Sequence, residues 1–198
     1  MVAEEFQRLV YSFPSSPFGV SRIIRRLQEE DPDEFRRCAY ELLKDETETP
    51  GGKYVATLLS IRTEAVPCGE LADPDTMELA TAIRVAKAVQ ANDAHFEQRM
   101  LDYLVDQKLP LAKQSRILDV LDAVASGPRI LTAFRRIAKT AEPALVSKFA
   151  MVAAKKDPNR EWFEARLAEP DARIRGNVVE ALWGHRDPKS LDVLRAAL

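Results

Sequence analysis

The stretch Glu169-Pro170-Asp171-Ala172-Arg173-Ile174-Arg175-Gly176-Asn177-Val178-Val179-Glu180-Ala181-Leu182 decides the fold. Its opening reads as a turn running into a helix. Pro170 has no N–H to lose there, and the Asp171 carboxylate can accept hydrogen bonds from the first turn. Beyond it Ile174, Val178, Ala181 and Leu182 fall on one face of a 3.6-residue period. Asp31-Pro32-Asp33-Glu34-Phe35-Arg36-Arg37-Cys38-Ala39-Tyr40-Glu41-Leu42-Leu43 repeats the arrangement. A slide of 139 residues lays Phe35 on Ile174, Arg36 on Arg175, Ala39 on Val178, Leu42 on Ala181 and Leu43 on Leu182.

Outward from these two segments the same period runs from end to end. Phe6, Leu9, Val10 and Phe13 make one stripe; Ile23, Ile24 and Leu27 another; then Tyr54, Val55, Leu58 and Leu59. Leu79, Ile83 and Ala86 follow, then Phe96, Met100, Leu101 and Leu104, then Ile117, Leu118, Leu121 and Val124. Ile130, Leu131, Phe134 and Ile137 precede Val146, Phe149, Ala150 and Ala153, and Leu191, Leu194 and Leu198 close the chain. No segment alternates with period 2, so no strand is expected. Pro32, Pro74, Pro158, Pro170 and Pro188 each follow an acidic residue at an expected helix start. The pattern predicts twelve helices, over 2–12, 18–30, 33–45, 51–64, 75–91, 93–107, 111–125, 128–140, 143–156, 158–168, 171–184 and 188–198. Connections are short except the loop from Glu64 to Pro74, which holds Cys68 and Gly69.

Pro128, Pro158 and Pro188 stand 30 residues apart, and helix pairs recurring at a fixed period indicate a solenoid. The segment 169–182 resembles the second helix of a bacterial HEAT repeat, whose pattern is a turn with Pro and Asp, an apolar residue followed by Arg, then Ala and Leu positions. Residues 31–43 look like a weaker copy. The resemblance covers 158–198 well and 18–45 plausibly; between 46 and 125 only the helical rhythm carries it. It implies an all-α, right-handed α-solenoid forming one domain over 1–198. About five HEAT-like pairs fill 18–184: 18–30 with 33–45, 51–64 with 75–91, 93–107 with 111–125, 128–140 with 143–156, and 158–168 with 171–184. Residues 1–14 hold an N-terminal capping helix, and 188–198 is the trailing first helix of a further repeat. In such families the residues matching Asp171 and Arg175 are commonly structural, and their spacing lets the two side chains meet on one helix face. Gly176, inside a helix, costs about 1 kcal/mol relative to Ala; close approach of the adjacent helix is the expected compensation.

Composition narrows the classes. The 198 residues are 46% hydrophobic and 30% charged, with two cysteines. That is globular rather than disordered, and the cysteine count points to a reducing compartment. The acidic start lacks the character of a signal peptide, and no apolar run approaches the ~18 residues of a membrane span, so a cytoplasmic protein without a membrane partner is expected. Residues 1–100 carry 12 basic and 18 acidic groups, residues 101–198 carry 17 and 13; such asymmetry can orient a partner or a second copy.

Catalytic constellations are missing from the sequence pattern. His95 and His185 have no paired ligand, and the di-iron HEAT-repeat hydroxylases depend on His-Glu pairs that this chain lacks, so no metal and no cofactor is expected. Cys38 lies by an apolar stripe and reads as a small buried hydrophobe, whereas Cys68 reads as a loop thiol. No phosphate loop or nucleophile elbow occurs. The HEAT-like alkylpurine DNA glycosylases suggest an alternative, a DNA-binding or glycosylase-type enzyme using the basic second half. Residues 128–175 hold 11 basic and 6 acidic groups, with Trp162 and Trp183 at hand. Trp162 and Phe163 sit on a stripe and read as packing, and the net charge of −2 argues against nucleic acid. HEAT-like phycobilin lyases share the repeat pattern, but nothing selects for them. The expected function is a non-enzymatic protein-binding or scaffold module whose concave face holds a protein or peptide. Its binding residues stand near the starts of second helices: Lys113, Arg116, Lys148, Arg173 and Arg175. Helix 188–198 carries Leu191, Val193, Leu194, Ala196, Ala197 and Leu198. Its leucine stripe can pack back on 171–184, while Val193 and Ala197 predict either a longer repeat array or self-association through this helix.

Overall fold

A computed structural model of the chain describes residues 3–61, 68–106, 108–125, 127–138, 141–156, 165–182 and 187–197. Among them all regular structure is helical. The helices are α1 (Ala3–Tyr11), α2 (Pro17–Glu30), α3 (Pro32–Leu43), α4 (Pro50–Ile61), α5 (Cys68–Ala72), α6 (Leu79–Gln90), α7 (Phe96–Asp106), α8 (Leu111–Val124), α9 (Pro128–Ile137), α10 (Pro143–Lys155), α11 (Ala172–Ala181) and α12 (Pro188–Ala197). Contacts group the chain into two compact units, residues 1–96 and 97–198.

In the first unit α3 is the central element, packing on α1, α2, α4 and α6. Its helix starts because the Asp31 carboxylate accepts the Glu34 amide at 3.0 Å and Pro32 occupies the first turn. Phe35, Cys38, Ala39, Leu42 and Leu43 are buried, with Phe35 edge-on to Phe6 of α1 at a centroid distance of 6.3 Å. Such an aromatic pair adds about 0.5–1.5 kcal/mol to the area it buries. The first turn of α4 reaches the core because glycine permits it. A Cβ on Gly51 would stand 2.6 Å from the Val10 carbonyl oxygen, and one on Gly52 would overlap the Glu46 carbonyl outright. Buried Gln28 of α2 donates to the Leu58 carbonyl of α4 at 3.0 Å, so the apolar seam carries one satisfied polar group.

In the second unit α10 packs on α8, α9 and α11, which is why eight of its residues, from Leu145 to Ala154, are buried. Phe149 meets Phe134 of α9 edge-on at 5.4 Å. Gly127, with φ of 109°, turns the chain into α9, a backbone conformation that side chains resist. Asp171 caps α11 by accepting the Arg173 amide at 2.8 Å.

Several expectations need correction. The Glu64–Pro74 loop contains α5, and the following helix begins at Leu79 rather than 75. Pro74 lies in a turn instead of opening a helix, because the Asp73 carboxylate accepts the Asp75 amide and its carbonyl the Thr76 amide. The buried face of α6 is Thr81, Ala82, Val85, Ala86 and Val89, with Leu79 and Ile83 only half-buried. Ile23 and Leu191 are exposed; among the described side chains of α12 Ser190 is buried, its amide and hydroxyl both donating to the Asp187 carboxylate. Residues 157–164, with Trp162 and Phe163, and residues 183–186, with Trp183 and His185, lie outside the described residues, as do the side chains of Val193, Leu194, Ala196, Ala197 and Leu198. Among the described residues no neighbouring helix approaches Gly176: a Cβ there meets nothing within 4 Å.

The two glycine environments predict opposite outcomes. Gly176→Ala should stabilise by about 0.5–1 kcal/mol through helix propensity alone. Gly52→Ala should destabilise by about 1–3 kcal/mol through overpacking despite the same propensity gain. Urea denaturation of both variants checks the pair; loss of stability in Gly176→Ala would show that its surface is occupied.

Candidate functional site

The five sequence-predicted cations lie in the second unit, on α8 (Lys113, Arg116), α10 (Lys148) and α11 (Arg173, Arg175). The packing commits several of them to internal roles. Lys148, its side chain 25% exposed, puts Nζ 2.7 Å from an Asp119 carboxylate oxygen and donates to Ser115 Oγ at 2.7 Å. Lys155 pairs with Asp122 at 2.7 Å, and Asn177 donates to buried Ser147 Oγ at 2.8 Å. Together these form polar rungs from α8 to α10 and from α10 to α11. Arg175 does not meet Asp171, as its spacing suggested; it donates to the carbonyls of Glu169 and Pro170 at 2.7 and 2.9 Å, tying down the turn. Asp171 instead engages the Arg173 guanidinium at 3.2 Å, which, with the Arg173 amide, lowers its pKa. Of these three, only Arg173 keeps a mostly exposed side chain, at 62%. Lys113 and Arg116 are half-buried.

A larger concavity lies in the first unit. The outward stripe of α3, opposite its core face, carries Asp33, Arg36, Arg37, Tyr40, Glu41 and Lys44. Facing it are Glu70 of α5 and the segment Thr76–Glu78 leading to Thr81 on α6, and together they enclose a groove of about 510 Å³. The helical period sets the α3 wall, while α5 supplies the opposing one. The ionic contacts are unequal. Arg37 turns to Glu34 at 2.8 Å and Lys44 to Glu41 at 2.7 Å. Arg36 bonds Asp33 closely but reaches Glu70 only at 3.7 Å, beyond hydrogen-bond length. The Tyr40 hydroxyl is buried beside the Glu70 carboxylate, and no partner stands at full hydrogen-bond length. Burial, and then the negative charge of Glu70, pushes its pKa far above the usual phenol range, so it stays protonated. Cys68 opens α5 half-buried rather than standing free in a loop. The Cys38 thiol is buried as expected, and burial raises its pKa.

Two smaller hollows lie elsewhere on the described surface. One of about 400 Å³ between α4 and α6 carries Lys53, Arg84 and Lys87 over Ala56 and Ala88. Another of about 230 Å³ lies between α7 and α9, flanked by Asp102 and Arg136 at 3.9 Å. Among the described residues no group of three or more His, Cys, Asp or Glu could hold a metal ion, and no helix is long and apolar enough to cross a membrane. Comparison with family models, with curated proteins and with solved structures finds no match.

The sequence-predicted cations lie in the second unit, whereas this groove lies in the first. The polar spacing of Arg36, Tyr40 and Lys44 was a usable signal. Glu70 and Met77 gave none, since their position depends on α5, a five-residue helix below the length that periodicity detects.

Beside the groove, the Arg37 guanidinium lowers the Glu34 pKa to about 2 from 4.5. A carboxyl with a lower pKa when folded stabilises the protein above its unfolded value and loses that contribution as pH falls. The stability gap between wild type and Glu34→Gln should therefore be widest near neutral pH and close between pH 4.5 and about 2. Urea midpoints across that range would measure it; a pH-independent gap contradicts the pairing.

Proposed function

We propose that the chain is a non-enzymatic protein-binding module built as a right-handed solenoid of HEAT-like helix pairs, acting in the cytoplasm and holding a protein segment against the surface of its second helices. The observation that carries this reading is the α3–α5–α6 groove, whose volume lies within the roughly 300–1,000 Å³ of ligand-sized sites. Support for the repeat architecture comes from the packing within each unit: α3 on α6 in the first, and α8, α10 and α11 in succession in the second. The polar rungs join residues 33 and 30 positions apart, in keeping with one repeat length.

The competing reading, a DNA-binding or glycosylase-type protein working through the basic second half, draws less support. Lys148, Lys155 and Arg136 each face a carboxylate, so fewer cations remain for phosphates.

Capture from an extract of the source cells, scored against substitutions, tests the proposal. Glu70→Arg and Met77→Asp in the groove should abolish retention of the partner. Arg22→Glu and Glu29→Arg on the exposed side of α2 should leave it unchanged, all four variants melting normally. Retention equally sensitive to the α2 variants, or salt-resistant binding of duplex DNA, would defeat it.

A further inference from the structure

The contents of the groove specify what would fill it. Once its internal pairs are set aside, the remaining unsatisfied groups are acceptors. Arg37 is turned to Glu34, Lys44 to Glu41, and Arg36 to Asp33. Glu70 has the long contact with Arg36 and the Tyr40 hydroxyl beside it, and Glu78 is exposed and makes no ion pair among the described residues. Between the α3 wall and Glu70 sits the Tyr40 hydroxyl, buried and without a partner at full hydrogen-bond length. A buried hydroxyl without a hydrogen bond is destabilising, and such groups in folded proteins call for an explanation. A phenol can give its proton to a carboxylate while its lone pairs accept from an N–H.

Met77 lends the wall an apolar surface suited to an aliphatic stem. The surrounding charge acts in the same direction, since residues 1–96 carry 11 Lys and Arg against 17 Asp and Glu. An approaching cation is attracted and an anion repelled. Charge-assisted bonds to carboxylates are also the stronger kind.

We propose that the groove receives a basic side chain, a lysine of a partner polypeptide, with Glu70 and the Tyr40 hydroxyl as its acceptors and Met77 against its methylenes. This rests on the protein-binding reading above and names the chemistry of the segment held. Arg36 keeps Asp33 and yields its long contact with Glu70 to the incoming ammonium.

Titration of the full chain with short acetylated peptide amides, followed by backbone-amide NMR, tests it. One peptide carries a single central lysine, a second norleucine in its place, a third glutamate; n-butylamine is the free-amine control. The lysine peptide should bind saturably and shift the amides of Tyr40, Glu70 and Thr81, at least tenfold more tightly than the norleucine or glutamate peptide. Glu70→Gln should weaken lysine binding about tenfold. Tyr40→Phe should weaken it about threefold or more while melting close to wild type, because the hydroxyl it removes makes no full-length hydrogen bond in the free protein. Equal binding of the glutamate peptide, shifts confined to other helices, or full lysine affinity in Glu70→Gln would overturn the proposal. Butylamine binding as tightly as the peptide would overturn its polypeptide part. Partner capture that persists while the lysine peptide fails sinks this inference alone. Lysine binding without any captured partner upholds the site and sinks the module reading.

Discussion

Helices of ten to fourteen residues with a single apolar stripe are marginal in water, since nucleation is costly and propensity contributes only tenths of a kcal/mol per residue. The central helices here are stable because others cover their stripes, and one helix in each unit does most of the covering. In the first unit it is α3, against α1, α2, α4 and α6; in the second it is α10, against α8, α9 and α11. Phe35 and Phe149 fill the centres of these contacts, each edge-on to a second ring. Truncating either ring would remove about 3–5 kcal/mol, a large share of the stability a domain usually has.

The central helices differ in what they leave outside. Eight residues of α10 are buried, so its polar side chains are spent on rungs to the helices beside it. α3 buries five and keeps an entire polar stripe clear of the core. That stripe becomes a groove wall only because α5 and the turn at Asp73 stand opposite it.

Much of this was readable from residue order. Asp31 and Asp171 as caps, Pro32 as a first-turn residue, and the stripes of α3, α8 and α10 follow from backbone chemistry and the 3.6-residue period, which act locally. What could not be read depends on distant groups. Nothing in the sequence says that Arg175 turns to the carbonyls before its helix rather than to Asp171, because two acceptors lie within its reach and only the folded turn chooses. Ile83 and Val85 are equally apolar, and the neighbours of α6 decide which is buried. The groove was illegible for the same reason, its far wall being a helix too short to announce itself.

The rung between Ser147 and Asn177 makes the seam of α10 and α11 asymmetric towards change. Ser147 is buried and its hydroxyl is satisfied by Asn177. An apolar residue at 177 would keep that hydroxyl covered with nothing to bond, at about 1–3 kcal/mol. Replacing Ser147 by Ala in the same step would remove the orphaned group and with it the penalty. Evolution along this seam would therefore meet more resistance from a single exchanged side chain than from exchange of both partners together.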